Sequence, residues 1–294
     1  MYELKRLNTC SFQTAHEAWN AGFKGYFVDL TLPLDRFVQR LSYENISLEH
    51  SQIVFEQNRP VGFLLNAFRI NRDKKIAWNG GTGVAPDMRG KGVGKALVAA
   101  AIDVYKSESV DLAFLEAIKG NDSAIALYKN NGYQVFDELT NLQSDTSTNF
   151  TSAPSIYTVE EVHPAVVGVL DFYYERSAWQ TQWQSLAATC GEAVIVCDDD
   201  GSPVAYALFR KKFNEQGKLL SIALCQCELA GDRGDGDAIV SAVLNKIFPA
   251  GEYRRTTYNF RKSNRLIIEK LLDAGFTTYV EQVHMMKDLS EFQK

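Results

Sequence analysis

The segment VAPDMRGKGVGKAL, residues 84–97, joins a strand-like run to a helix-like one and is rich in small and basic residues. Two familiar phosphate-binding loops do not fit it. A dinucleotide fingerprint needs glycine at 90, 92 and 95, and position 95 is Lys95. A P-loop needs glycine at 89 and Ser or Thr at 96, where the chain has Arg89 and Ala96. The spacing it satisfies is Arg-x-x-Gly-x-Gly, with Arg89, Gly92 and Gly94. Small residues at Gly90, Gly92 and Gly94 let backbone amides approach an anion closely. A helix starting there leaves its first amides without partners inside the helix and adds partial positive charge. Lys91 and Lys95 add full charges, and the Arg89 guanidinium can fork onto a phosphate. The expected chemistry is capture of a pyrophosphate.

No metal is expected. Cys225-x-Cys227 has no nearby His or Cys to complete a site, and His16, His50, His163 and His284 are scattered. The five cysteines are odd in number and unevenly spread, which argues against a disulfide framework.

Three stretches, in order, resemble the Gcn5-related N-acetyltransferase (GNAT) superfamily. They are Val84-Ala85-Pro86 leading into Arg89-Gly90-Lys91-Gly92-Val93-Gly94-Lys95-Ala96, the strand Phe114-Leu115-Glu116-Ala117, and Asn121-x-x-Ala124-x-x-Leu127-Tyr128-x-x-x-Gly132-Tyr133. The resemblance covers residues 1–139. It implies acetyl-coenzyme A as co-substrate, with its pyrophosphate on residues 89–96, its pantetheine arm paired with backbone groups at Val84 and Ala85, and Asn121 and Tyr128 as further contacts. It also implies direct transfer to an amine, with Tyr128 as general acid at the coenzyme sulfur and Glu116 as base, directly or through water. Read without the resemblance, Tyr128 shares an apolar stripe with Ala124 and Leu127, which suits a core aromatic equally well. Glu116 ends an otherwise apolar row after Leu112 and Phe114, where a structural hydrogen bond is the alternative to a base with a raised pKa. Trp78-Asn79-Gly80-Gly81-Thr82-Gly83 has too many glycines for an ordinary strand interior and suggests a bulge. In the family this strand splays from its neighbour and frees an amide for the acetyl carbonyl, which would leave Asn79 and Thr82 facing the acceptor.

The elements that must position these residues follow from periodicity. Residues 2–8 alternate as a strand, and 10–22 and 34–43 read as helices. Strands are expected at 53–57, 61–70 and 75–84, a helix at 94–106, a strand at 111–118, a helix at 121–132 and a strand at 133–139. Asn121 is a candidate N-cap, and Gly132 a C′ stop. The order βααβββαβαβ then begins again after the Ser-, Thr- and Asn-rich stretch 140–155. A shift of 144 lays Arg89-Gly90-x-Gly92 on Arg233-Gly234-x-Gly236, and a shift of 143 lays Asn121, Gly132 and Tyr133 on Asn264, Gly275 and Phe276. The expected architecture is α/β (α+β): two tandem GNAT-like domains, each a mixed, mostly antiparallel sheet flanked by helices. The boundaries expected are a catalytic domain at 1–145, a linker at 146–155 and a degenerate copy at 156–294. That copy has Asp235 and Asp237 at the positions of Lys91 and Val93, and Leu271 at that of Tyr128. Two carboxylates repel a pyrophosphate and leucine cannot donate a proton, so the copy is not expected to bind the coenzyme.

Composition narrows the rest. The chain has 294 residues, 46% hydrophobic, with a net charge of −5. Residues 1–150 contribute −1 and residues 151–294 contribute −4, so neither half has the basic excess of a nucleic-acid binder. No apolar run reaches the ~20 residues of a membrane span, and MYELKRLNTC lacks the pattern of a signal peptide. The expectation is a cytoplasmic N-acetyltransferase, monomeric or homodimeric, acting on a small-molecule or peptide amine. A non-catalytic coenzyme A sensor or partner-binding module on the same fold is the alternative.

Overall fold

A computed structural model describes residues 2–147, 150 and 157–290. The chain forms two compact units. One contains residues up to Phe136 together with those from Val283 onward, and the other is Asp137–Gln282. These boundaries differ from a division at 145 and 156. The last strand of the chain completes the first unit, and residues 137–144 belong to the second. Each sequence copy ends in a comparable strand, so the repeat carries no information about which sheet each strand joins. Most of the expected linker (148–149 and 151–155) lies outside the described residues. Phe150, within it, is buried, and its backbone exchanges hydrogen bonds of 3.1 and 2.7 Å with the Asn245 side chain.

The first unit runs β1 (Tyr2–Arg6), α1 (Phe12–Phe23), α2 (Leu34–Tyr43), β2 (Gln52–Glu56), β3 (Arg59–Asn71), β4 (Lys74–Val84), α3 (Val93–Ser107), β5 (Leu112–Ile118) and α4 (Asp122–Asn130). It also holds the start of β6 (Gln134–Ser144) and the end of β13 (Thr277–Asp288). Its strand order is β1-β2-β3-β4-β5-β13. Pairs from β1 to β4 are antiparallel, and β4–β5 is parallel. The stripe Val93, Leu97, Val98, Ala101 and Tyr105 turns α3 onto one face of this sheet, against Val54, Leu64, Ala77, Ala113 and Leu115. Each Val or Leu side chain so removed from water contributes about 1.5–3 kcal/mol. Trp19 of α1 packs against Phe63 and against Phe37 of α2.

Two irregularities prepare the site. Between β3 and β4 the register steps from Asn66↔Asn79 to Leu65↔Gly81, leaving Gly80 as an extra residue. This bulge resets the alternation, so Asn79 and Thr82 come to share a face. Gly80 has to be small, because a Cβ there would meet the Trp78 ring at 2.6 Å. The β4–β5 ladder then covers only Ile76–Asn79 against Leu112–Leu115, and beyond Asn79 the two strands part.

The second unit takes up the rest of β6 and continues β7 (Thr158–Val162), α5 (Pro164–Val167), α6 (Trp183–Ala188), β8 (Glu192–Cys197), β9 (Pro203–Phe213), β10 (Leu219–Leu229), α7 (Gly236–Ile247), β11 (Arg254–Thr257), β12 (Phe260–Arg261) and α8 (Arg265–Asp273). The helical pattern at 165–187 resolves into short pieces, α5, a 3-10 turn at Trp179–Thr181 and α6. The strand order is β6-β11-β10-β9-β8-β7. The repeat persists in backbone detail. Asn121 and Asn264 have φ/ψ of −82/67° and −82/72°, and Gly132 and Gly275 have φ of 84° and 87°. A bulge again lies in the central strand, at Cys225 between Leu224 and Gln226, and β10 again pairs in parallel over four residues, Ser221–Leu224. Among the described residues no helix is long and apolar enough to cross a membrane.

Candidate active site

The 84–96 loop forms an open cradle. Gly90 and Gly92 have φ of 74° and 83°, a backbone conformation that favours glycine, and a Cβ on either would have nothing within 4 Å. Gly92 is the N-cap of α3, and no side chain caps that end. The first amides of α3 are therefore left for an anion. Lys91 and Lys95 are exposed beside them, and Ala96 donates its amide to the Gly92 carbonyl at 3.0 Å. The Val93 side chain is buried in the core, which fixes its amide at the rim. Gly94 has a different role, because a Cβ there would come within 3.3 Å of Leu127, so its smallness lets α4 pack against α3.

Arg89 does not present a free fork. Its Nε donates to the Val84 carbonyl at 3.0 Å, and Nη2 donates to the carbonyls of Lys24 at 2.9 Å and Gly22 at 3.4 Å. It holds the cradle in place by tying the end of β4 to the end of α1. Ala85 donates its amide to Val61 at 2.8 Å. Successive residues of an antiparallel ladder turn their amides to opposite edges, so Val84 faces the edge that β5 leaves uncovered. Of the two, Val84 keeps an amide for a ligand.

Tyr128 of α4 is buried, and its hydroxyl lies beside the Thr82 and Asn79 side chains. Those two side chains also bond each other, Asn79 Nδ2 to Thr82 Oγ1 at 2.9 Å. The bulge thus puts Asn79 and Thr82 on one face, beside Tyr128. Burial pushes the phenol up to about 12, opposed by Thr82 and Asn79, so it holds its proton across the neutral range. Asn121 caps α4 through Oδ1 (Ala124 N, 3.3 Å) and reaches the Tyr26 hydroxyl with Nδ2 at 3.4 Å. Tyr26, on the loop after α1, went unnoticed in the sequence because it belongs to no motif and no periodic element.

Glu116 occupies the other face of the sheet. Trp78 Nε1 donates to its Oε2 at 2.7 Å, and His284 Nε2 of β13 lies 3.6 Å from its Oε1. The carboxylate and the imidazole are both enclosed, with side chains 7% and 1% exposed. Tyr128 and Glu116 are therefore not in one cluster, since they flank the place where β4 and β5 part from opposite faces.

The corresponding loop of the second unit is closed. Arg233 and the Tyr157 hydroxyl bond the Asp235 carboxylate at 2.9 and 2.7 Å, and these contacts hold it well below the usual carboxylate range. Lys270 pairs with Asp237 at 2.5 Å. Leu229 and Leu266 come within 3.1 and 3.3 Å of a Cβ on Gly236. Where Tyr128 stands in the first unit, Leu271 is buried in the core, and the parallel ladders place Tyr258 where β5 has Glu116. Among the described residues no group of three or more His, Cys, Asp or Glu side chains is placed to hold a metal.

Residues 12–133 match the acetyltransferase (GNAT) family model. No curated protein matches the chain by sequence. Several solved structures share its fold at low identity. A GCN5-related glucosamine N-acetyltransferase region in a fungal multi-domain GH3 β-N-acetylglucosaminidase superposes with a TM-score of 0.70 at 15% identity, over 97% of this chain and 38% of that longer one. A GCN5-related N-acetyltransferase from Sphaerobacter thermophilus gives 0.65 at 14% identity, over 98% and 95% of the two chains. A tandem GNAT protein from the clavulanic acid biosynthesis pathway gives 0.62 at 13% identity, over 98% of both. The GNAT family model thus matches the first part of the chain, residues 12–133, and the fold of the whole chain is shared with tandem GNAT proteins.

Proposed function

We propose that the first unit is an N-acetyltransferase that moves an acetyl group from acetyl-coenzyme A to a primary amine of a small molecule or peptide, and that the second unit binds no coenzyme. The observation that carries this reading is the pairing of an open, uncapped helix N-terminus at Gly92 with a buried tyrosine, Tyr128, beside Thr82 and Asn79.

Acetyl-coenzyme A supplies the activated acetyl thioester. The amides at the start of α3, with Lys91 and Lys95, hold its pyrophosphate, and Arg89 keeps that loop in shape. Glu116, directly or through one water, takes the proton of the ammonium so that the nitrogen has a lone pair for the acetyl carbon. The Val84 amide donates to the acetyl oxygen as negative charge gathers there. Tyr128 delivers its proton to the sulfur as the carbon–sulfur bond breaks, with Asn79 and Thr82 orienting the hydroxyl. The parting of β4 and β5 gives the acid and the base access to one reacting carbon from opposite faces.

Thiol release from acetyl-coenzyme A, followed across a panel of polyamines, amino sugars, aminoglycosides and peptides, tests the reading. An amine-dependent rate that Tyr128→Phe lowers without weakening coenzyme binding supports it. Slow hydrolysis with no responsive amine points to a coenzyme sensor instead.

A further inference from the structure

His284 lies 148 residues beyond the point where the chain leaves the first unit at Phe136, yet it belongs to that unit. The end of β13 brings it beside β5, where its ring meets Phe136 at 4.4 Å and Phe114 at 5.8 Å between centroids. Its Nε2 points at Glu116 Oε1 from 3.6 Å, a few tenths of an ångström beyond a hydrogen bond. Trp78 already holds the other oxygen, Oε2, from β4. The nearby cation on α2, Arg40, is engaged by Glu44 at 2.8 Å and by the Gly80 carbonyl at 3.0 Å. A histidine in an aromatic enclosure is an expensive way to fill space when phenylalanine would pack there, and here its Nε2 faces a carboxylate.

We propose that His284 is a positioning residue for Glu116: with Trp78 it clamps the carboxylate between two N–H donors, so that the first unit's base is set by a residue from the chain's final strand. This inference rests on Glu116 acting as the base. Burial pushes the imidazole down to about 3, so it faces Glu116 as a neutral donor. Hydrogen bonds that matter in catalysis are often long before substrate binds, which suits the 3.6 Å separation. A neutral donor favours the ionised carboxylate, so its loss moves the proton uptake of Glu116 to higher pH.

The test combines two readouts on the full-length protein. Nitrogen-15 NMR of the His284 ring at pH 7 is read in the wild type and in Glu116→Gln. A neutral Nε2–H tautomer whose Nε2 shift responds to that substitution is the result expected. An Nδ1–H or charged ring, or one indifferent to residue 116, overturns the contact. Turnover is measured with acetyl-coenzyme A and the best amine of the panel above. His284→Phe keeps the ring volume and is expected to lower kcat ~10-fold or more, with the KM for acetyl-coenzyme A unchanged and the acidic limb moved to higher pH. His284→Gln restores a donor at similar reach and recovers most of that loss. An unchanged kcat and acidic limb in His284→Phe, alongside an impaired Glu116→Gln, overturns the inference alone. Full turnover in Glu116→Gln removes the base reading itself, and the NMR arm still reports whether the two side chains meet.

Discussion

The two units share a backbone but end up with opposite chemistry at one loop. At the start of α3, glycines at 90 and 92 leave open space and no side chain caps the helix. At the start of α7, Asp235 and Asp237 sit in the same place, and the protein neutralises them from within, through Arg233, Tyr157 and Lys270. The first helix end is thus left for an outside anion, and the second has anions of its own. The backbone turn at the Asn, the bulge and the short parallel ladder are kept in both units. Those features belong to the fold, whereas the open glycine loop, Tyr128 and Glu116 belong to the first unit alone.

The largest expected effect is from imposing the second unit's charge on the first. Gly92→Asp puts a carboxylate and a disfavoured backbone conformation at the α3 cap. It should weaken acetyl-coenzyme A binding about 100-fold or more, ~2.7 kcal/mol, by calorimetry. Next come the two residues that the proposed mechanism makes acid and base, Tyr128 and Glu116, which the second unit lacks. Tyr128→Phe should cut kcat by ~100-fold with the coenzyme Kd nearly unchanged, and Glu116→Gln should cut kcat by a similar factor. Equal losses in kcat and in binding would contradict these roles. The pH profile sharpens the assignment: with the phenol pushed up to about 12, Tyr128 should produce no alkaline limb below about pH 11, and a limb that disappears in Tyr128→Phe would contradict this.

A weaker effect concerns stability. His284 is neutral in the folded state down to about pH 3, whereas an unfolded imidazole takes up its proton near 6.5. Its contribution is complete above pH 6.5 and is lost progressively as pH falls from 6.5 to about 3. Denaturant midpoints over that window should therefore fall more steeply for wild type than for His284→Phe. The smallest effect is expected in the second unit. Reversing its charges with Asp235→Lys and Asp237→Val should not create a second coenzyme site, because Leu229 and Leu266 still fill the space beside Gly236. Binding stoichiometry measures this directly.

Much of the fold was legible because periodic burial and turn chemistry are local. The helix at 34–43, the Asn121 cap, the Gly132 stop and the bulge signalled by the glycines of 80–83 all depend on neighbours within a few residues. What was hidden depends on contacts distant in sequence. That Arg89 also ties down its own loop was hidden, because the carbonyls of Gly22 and Lys24 it bonds are 65 or more residues away. The expected bulge at Gly80 is there, but that it puts Asn79 and Thr82 on one face beside Tyr128 depends on a residue of another helix, far away in sequence. His284 sits in FTTYVEQVHMM with no ligand spacing to mark it, and only the membership of that strand in the first unit brings it to Glu116.

The account rests on one coenzyme site per chain, in the first unit. Calorimetric titration of acetyl-coenzyme A into the wild type and Gly92→Asp tests it most directly. One equivalent per chain in the wild type and none in the variant is the predicted result. Two equivalents, or one that survives Gly92→Asp with unchanged affinity, would contradict it.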